Sequence, residues 1–211
     1  SLVAHMHQND KTLPNWLIIA LFSAWVLATL SGLWWFQQTK LKPFIDSHED
    51  VRFFQPVAID SLLQPYLLKA GKNLPAQKTL IHFWRPDCLC NRVSQRHFTN
   101  LINDFSQAEL RIIIIAHPDS TEEEVEDLKR LNGSRFSIIR ADEELLSLPS
   151  SPSLAIYNDK DKLGYFGPYG FGAFCSVRED GFLSSLITEL DEPDGRITFT
   201  NVIGDGCFCP W

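Results

Sequence analysis

This sequence lacks an excess of positive charge, with 19 Lys and Arg residues against 26 Asp and Glu, and the motifs of several common enzyme classes are missing. The formal net charge is −7, and no basic stripe is visible, which argues against nucleic acid as a partner. No Ser-His-Asp order, phosphate-binding loop or pair of carboxylates stands out. There is also no internal repeat or low-complexity segment. The remaining chemical signal is carried by cysteine.

Cysteine occurs in two short pairs and one single position. The chain has five cysteines, an odd number, so at least one thiol is free, bound to a metal or paired with another molecule. Cys88 and Cys90 are separated by one residue, and Cys207 and Cys209 repeat that spacing. Cys175 follows a glycine-rich loop, where it is either close to the first pair or a buried structural thiol.

A continuous uncharged run extends from Trp16 to Phe36. At about 1.5 Å per residue, a helix of this length spans a hydrocarbon core of about 30 Å. Tryptophans at both ends suit the aromatic belts of a membrane. A cleaved signal peptide is the alternative, but it would have a shorter apolar region and small residues at a cleavage site. We therefore predict an uncleaved transmembrane helix over 16–36.

The N-terminal tail, residues 1–15, is short. Ser1 to His5 precede Met6, where we expect translation to start. The positive-inside rule does not decide the orientation, because Lys11 lies on one side of the span and Lys40 and Lys42 on the other, a bias that mildly disfavours an external domain. By analogy with membrane-tied dithiol domains, we still expect a single pass through the inner (cytoplasmic) membrane, with the soluble domain in the periplasm or cell exterior.

The rest of the chain divides into a stalk, a domain and a tail. Residues 37–56 have mixed charges and are predicted to be a stalk or linker. Residues 57–191 are long enough for one domain with a real core. Residues 192–211 form an irregular tail that carries the second cysteine pair.

The hydrophobic pattern predicts alternating strands and helices in the domain. Ser120 and Glu123 form a possible capping box for one helix. Residues 110–116 are an unalternating β-branched run, typical of a strand buried on both faces. The expected strands are 79–84, 110–116, 136–140, 153–157 and 163–166, and the expected helices are 57–70, a segment through 93–105, 120–131 and 182–190.

The first cysteine pair lies where the strand 79–84 turns into a helix. A thiol at a helix N-terminus faces unpaired N–H groups and the positive end of the helix dipole. Both lower the pKa of the cysteine and make it a better nucleophile and metal ligand. We therefore expect the sulfur of Cys88 to be accessible and reactive.

The segment that contains Phe83-Trp84, three further residues and Cys88 resembles the active-site motif of the thioredoxin-like superfamily. The resemblance covers roughly residues 75–190 and is nearest to the membrane-anchored branch. It implies an α/β fold, a mixed sheet flanked by helices, with Cys88 as the attacking thiol and Pro152 as a cis-proline beside it. The family has Cys-x-x-Cys, whereas this chain has Asn91 at the second cysteine position and its second thiol at Cys90.

Two chemistries fit this constellation. The first is that of a thiol–disulfide oxidoreductase, in which Cys88 attacks a protein disulfide. Cys90 then resolves the mixed disulfide by forming a Cys88–Cys90 bond, which is strained and therefore oxidising. Cys207 and Cys209 form a secondary redox pair. About 15 residues at roughly 3.3 Å each allow the tail to return to the active edge. No cofactor is needed, and the partner is a protein thiol or disulfide.

In the second, the four thiolates of Cys88, Cys90, Cys207 and Cys209 bind Cu(I) or Zn(II) in a metal chaperone. His117 is expected at the same sheet edge and is a possible further ligand. A third hypothesis is a non-catalytic interaction domain that keeps the fold. His82 and His97 are interpreted as core residues, and Arg85 either stabilises a thiolate or faces solvent.

Overall fold

The computed structural model describes residues 14–45, 55–71, 77–132, 135–172, 181–190, 200–201 and 204–211. The chain separates into two compact units, Ser1–Thr39 and Lys40–Trp211. Cys175 lies outside the described residues, so its predicted alternatives stay open.

The first unit contains most of a long apolar helix, α1 (Asn15–Lys40). Its segment Asn15–Phe36 is long and apolar enough to cross a membrane, and none of it is buried within the protein. The hydroxyl of Thr29 donates to the carbonyl oxygen of Trp25 at 2.9 Å, so this polar group is satisfied within the helix, as a lipid environment requires. By length and composition the helix is a candidate membrane span or signal peptide.

The second unit is built on a mixed sheet. Among the described residues it has six strands, which are β2 (Lys78–Trp84), β3 (Leu110–Ala116), β4 (Phe136–Arg140), β5 (Ser153–Tyr157), β6 (Leu163–Pro168) and β7 (Thr200–Asn201). They are arranged in the order β4-β3-β2-β5-β6-β7. Strands β2, β3 and β4 are parallel, β5 is antiparallel to β2, and β6 is antiparallel to β5.

Helices cover both faces of this sheet. They are α2 (Pro56–Lys69), α3 (Leu89–Asp104), α4 (Glu122–Asn132) and α5 (Phe182–Glu189), with a 3-10 helix at Glu143–Ser147. Because successive side chains of a strand point to opposite faces, Ile81 and Phe83 join one core and Leu80 joins the other. The predicted thioredoxin-like arrangement, a mixed sheet flanked by helices, is confirmed.

The sequence prediction misplaced two local features. The capping box uses Thr121 and Glu124, whose backbone N–H groups each bond to the other's side chain, one residue later than expected. In the predicted stalk, Phe44 and Ile45 are buried in the core. Burial of these apolar side chains joins part of the stalk to the domain.

The predicted tail is also part of the second unit. Lys42–Pro43 forms strand β1, which pairs with strand β8, Asp205–Gly206. Phe208 and Trp211 are buried in the same core as Phe44. Residues 204–211, called the tail segment below, are therefore packed on the domain by backbone pairing and apolar burial.

Candidate functional site

The cysteine site lies where β2 and β3 end. Their parallel register pairs Trp84 with Ala116, so the residues that follow each strand share one edge of the sheet. Cys88 is the N-cap of α3 and has an extended backbone. This position places its sulfur at the start of a helix of 16 residues, as the sequence predicts.

The start of β5 lies against this helix. Phe83 pairs with Ser153 across the antiparallel β2–β5 ladder, and the Ser151–Pro152 peptide bond is cis, as the resemblance implies. The sulfur of Cys88 is 3.7 Å from the carbonyl oxygen of Ser151. The predicted cis-proline loop and the predicted nucleophile are therefore neighbours.

Each cysteine of the first pair is bonded to one in the tail segment. Cys88 is linked to Cys209, with 6.0 Å between their Cα atoms, and Cys90 is linked to Cys207, with 5.5 Å between theirs. The structure thus has two cross-linked pairs where the sequence predicted a Cys88–Cys90 bond. The tail returns to the active edge, as expected, and its backbone pairing with Ser151 and Gly172 sets each of its sulfurs opposite one of the first pair.

Backbone hydrogen bonds hold the tail segment in the site. The N–H of Ser151 donates to the carbonyl oxygen of Cys209 at 2.9 Å, and the N–H of Cys209 donates to the carbonyl oxygen of Ser151 at 2.8 Å. Farther along, the N–H of Gly172 donates to Asp205 at 3.0 Å, and the N–H of Cys207 donates to Gly172 at 3.2 Å. The tail segment lies in the site as an extended chain.

The last two residues of the tail segment cover the end of the sheet. The ring of Trp211 packs edge-on against Phe83 and His117, with ring centroids 5.6 Å and 5.1 Å apart. The guanidinium of Arg85 donates to the carbonyl oxygen of Pro210 at 2.6 Å. Arg85 therefore contacts the tail segment, and it also lies 3.7 Å from Asp87.

The tail segment leaves the first cysteine pair inaccessible. Cys88 is 2% exposed and Cys90 is 6% exposed, whereas Cys207 and Cys209 are both partly exposed. The sequence predicted an accessible Cys88 sulfur, and this prediction is wrong for the disulfide-bonded protein. The tail segment, which lies far along the sequence, covers Cys88. The tail cysteines are therefore the more exposed residues of the two disulfides.

Asn91 is a site residue that sequence reasoning noted only as a departure from the family motif. Its side-chain N–H donates to the carbonyl oxygen of Arg85, and its side-chain oxygen accepts a hydrogen bond from the hydroxyl of Ser151 at 3.2 Å. It is buried. Asn91 ties the turn before α3 to the cis-proline loop, and its polar side chain at a motif position was the available signal.

His117, which follows β3, is packed at the site. His117 is buried, and both desolvation and the charge of Arg85 hold its pKa below the usual value, although nearby carboxylates oppose this. Its Nδ1 accepts a hydrogen bond from the N–H of Asp119 at 3.2 Å. This ring supports Trp211 and is not a member of the sulfur cluster described below.

The predicted core roles of His82 and His97 agree with their burial. His82 lies on the face of β2 away from Phe83, stacks on Phe98 with centroids 4.5 Å apart, and shares a 2.8 Å hydrogen bond with Tyr169. Complete burial lowers the pKa of His82 to about 3, so it is neutral at ordinary pH.

Three sulfurs form a compact cluster. Those of Cys88, Cys90 and Cys209 all lie within 4.8 Å of one another. As thiolates they would be a soft donor set of the kind that binds Cu(I) or Zn(II). In the cross-linked state they are engaged in disulfides.

Comparison with solved structures finds proteins with related folds. A putative thioredoxin from Neisseria meningitidis is 19% identical, with 56% of this chain and 74% of that chain covered and a TM-score of 0.40. A hypothetical protein from Sinorhizobium meliloti 1021 is 16% identical, with 67% and 87% covered and a TM-score of 0.47. A secreted disulfide oxidoreductase from Mycobacterium tuberculosis is 15% identical, with 56% and 84% covered and a TM-score of 0.40.

These similarities are distant. The thioredoxin-like fold of this chain is defined by its strand order, its crossovers and the cis-proline loop. The comparison with curated proteins gave no match. A family profile, described as a domain of unknown function, DUF6436, matches residues 60–211. That range includes the thioredoxin-like sheet, both short cysteine pairs and the tail segment. The chain therefore belongs to the DUF6436 family.

Proposed function

We propose that this protein is a membrane-anchored thiol–disulfide oxidoreductase of the cell envelope, with Cys88 as its nucleophile. The observation that carries the proposal is the Cys88–Cys209 disulfide, formed at the N-terminus of α3 and beside the Ser151–Pro152 loop. Cys88 therefore lies where its sulfur can form and break a disulfide with a cysteine of an extended segment.

Opening the site begins at the partly exposed tail sulfurs. A thiolate of a reducing partner attacks the sulfur of Cys209, a new disulfide forms to the partner, and Cys88 leaves as a thiolate. A second thiol of the partner then releases Cys209 as a thiol. Two electrons pass to this protein and the partner becomes a disulfide. The same exchange at Cys207 releases Cys90.

The released Cys88 thiolate is stabilised by its position. It faces the unpaired N–H groups and the positive dipole end of α3, which favour a negative charge. Arg85 adds a cation nearby, partly balanced by Asp87. The thiolate then attacks a disulfide in a protein substrate, forming a mixed disulfide while the other substrate sulfur leaves.

Two residues are positioned to resolve that mixed disulfide. Cys90 is the resolving thiol that the motif suggests, and Cys209 is the thiol whose attack on Cys88 restores the bond seen here. The Cys88–Cys209 bond favours Cys209. In this scheme Cys207 and Cys209 pass electrons between the first pair and an external redox partner.

Two features, α1 and the disulfides, support the proposed cellular location. An apolar helix with no buried face needs a lipid environment if it is not cleaved. Two disulfides between distant segments persist in an oxidising compartment and not in a reducing cytosol. We therefore place the domain outside the inner membrane, in the periplasm or at the cell exterior, with envelope proteins as substrates.

Redox titration of the full-length protein in detergent tests this function. Alkylation and mass spectrometry should find two two-electron couples, one for each disulfide, and Cys88→Ser should remove the Cys88–Cys209 couple and disulfide exchange. Thr99→Ala, at an exposed position of α3, should retain both. If the native chain shows no reversible couple, the proposal is wrong.

A second candidate function is copper or zinc binding. It is favoured by the three sulfurs within 4.8 Å, because tetrahedral zinc with Zn–S bonds of about 2.3 Å needs sulfurs roughly 3.8 Å apart. On reduction the bonded sulfurs of Cys88 and Cys209 would move apart towards this spacing. Cys90 already lies within 4.8 Å of both, which gives a three-sulfur site with Cys207 available. Anaerobic purification followed by metal analysis tests it, and a fully reduced protein without copper or zinc counts against it.

A further inference from the structure

The tail segment fills the site in three ways at once. Cys209 is bonded to Cys88, its backbone pairs with Ser151 in both directions, and Trp211 covers the sheet edge beside Phe83. We propose that residues 206–211 are a built-in substrate, and that the protein's external substrates are extended segments with an aromatic side chain two residues after the reacting cysteine. This rests on the proposed function and names its substrate class.

The backbone contacts explain how a second chain replaces the tail segment. The paired groups of Ser151 and Cys209 are peptide N–H and carbonyl groups, which any extended segment presents. Arg85 holds a further backbone carbonyl, that of Pro210. These contacts fix the direction of the bound segment but do not read its side chains.

Selectivity comes from the place occupied by Trp211. Trp211 is two positions after Cys209, and its ring packs on His117, which follows β3 at the sheet edge that also carries Cys88. The surface under Trp211 is formed by the rings of Phe83 and His117, which meet Trp211 edge-on at 80° and 78°. Flat aromatic rings fit this arrangement, and they add energy beyond simple apolar burial.

The tail segment is suited to leave. The indole Nε1 of Trp211 is buried and has no hydrogen-bond partner among the described residues, an arrangement that weakens its hold on the site. Phe208 contacts Phe44 and Phe171 and anchors the tail segment to the domain. Residues 209–211 can therefore release while Phe208 keeps the tail nearby.

The reaction balances without an additional reagent. The Cys88 thiolate attacks the substrate cysteine, and the other sulfur of the substrate disulfide leaves as a thiolate. The Cys209 thiolate then attacks the sulfur of Cys88, which restores the Cys88–Cys209 bond and releases the substrate cysteine. The substrate disulfide gains two electrons and the Cys88–Cys209 pair loses two.

Activated peptides test the selectivity in the full chain. The variant carries Cys90→Ser, Cys207→Ser and Cys209→Ser. Three peptides, Phe-Cys-Pro-Trp, Phe-Cys-Pro-Phe and Phe-Cys-Pro-Ala, each carry thionitrobenzoate on the cysteine sulfur, and its release is followed by absorbance. Adding Cys88→Ser to the same variant measures the background from Cys175.

We expect the two aromatic peptides to react about tenfold faster than the alanine peptide, a ratio that corresponds to about 1.4 kcal/mol of differential binding. Equal rates for all three overturn this inference and leave thiol exchange by Cys88 intact. If neither the peptides nor a small aromatic disulfide reacts with Cys88, the proposed function itself fails.

A second measurement avoids the triple substitution. Reduced forms of the same peptides are added to the oxidised native chain, and mixed disulfides with Cys88 are trapped with acid and counted by mass spectrometry. In this exchange the peptide thiolate attacks Cys88 in molecules in which Pro210 and Trp211 have left the sheet edge, and Cys209 leaves as a thiolate. A higher yield with the aromatic peptides supports the inference, and equal yields overturn it.

Discussion

Ser151 and Cys209 form a two-way backbone pair, each N–H donating to the other's carbonyl oxygen at 2.9 and 2.8 Å. This pair aligns the tail with the cis-proline loop and brings the sulfur of Cys209 to Cys88. The closed site is therefore a product of chain alignment as well as of the disulfides. Each contact of the closed state gives a prediction that can be tested separately.

Cys209→Ser should expose the nucleophile. Loss of the Cys88–Cys209 bond frees a sulfur at a helix N-terminus, so we expect Cys88 to be alkylated by iodoacetamide at neutral pH, with the rate measured by peptide mass spectrometry. Because the Cys90–Cys207 disulfide still closes almost the same loop, with a separation of 117 residues against 121, we expect the free energy of unfolding to fall by much less than an isolated long-loop disulfide contributes. A Cys88 that stays unreactive in the folded variant contradicts this prediction.

The identity of the resolving thiol is a separate prediction. Both variants are first reduced, because Cys88 must be free before it can react. If Cys209 resolves, Cys209→Ser accumulates a mixed disulfide with a model substrate while Cys90→Ser turns over. Acid quenching and non-reducing gels measure the trapped species. Accumulation in Cys90→Ser alone assigns the role to Cys90, as the sequence motif suggests.

Trp211→Ala should open the site without removing a sulfur. Burial of a large apolar side chain contributes about 1.5–3 kcal/mol, so we expect dithiothreitol to reduce the Cys88–Cys209 disulfide at least about tenfold faster. The rate is measured by timed alkylation. Phe136→Ala is the matched control, since Phe136 packs against the core on the other face of the sheet, and an equal effect in both variants contradicts a specific role for Trp211.

Asn91→Ala should loosen the turn before α3. The substitution leaves the buried hydroxyl of Ser151 and the carbonyl oxygen of Arg85 without their partner on that side chain. Losing such buried hydrogen bonds costs about 1–3 kcal/mol. Urea denaturation of the oxidised protein measures the change, with Asn100→Ala on the exposed side of α3 as the control. No difference between the two variants contradicts the bridging role.

His82 should make the fold sensitive to acid. Its pKa is about 3 in the folded protein, against an ordinary value of 6.5. Between these two pH values His82 binds a proton in the unfolded chain but not in the folded protein. Stability is therefore lost as pH falls from 6.5 towards 3, by about 2 kcal/mol at pH 5. Denaturation curves of native and His82→Gln proteins at pH 7 and pH 5 measure this term, and an equal fall in both contradicts it.

The sequence predicted the parts of the fold that depend on neighbouring residues. The β-branched run 110–116 and the helical spacing after Cys90 are local patterns, and both elements formed where they indicated. The same holds for the sulfur at the start of α3, whereas the cis-proline at Pro152, just before β5, was expected from the family resemblance. The capping box was off by one residue because adjacent Ser120 and Thr121 can both serve as a helix cap.

Sequence could not predict which segments meet across long distances. Four cysteines in two pairs allow three sets of disulfides, and choosing among them required the course of the tail. The short apolar pair Phe44-Ile45 has no periodicity that distinguishes a buried strand end from a stalk. Trp211 gave no signal of its own, because its role depends on Phe83 and His117.

The sequence alone therefore determined a strand-to-helix turn bearing a helix-capping cysteine, and an apolar helix long enough for a membrane. These follow from residue spacing and backbone geometry within short stretches. Only the tertiary structure decided that Cys88 is covered and bonded to Cys209. That outcome depends on backbone pairing and side-chain burial between segments more than a hundred residues apart, which no local pattern encodes.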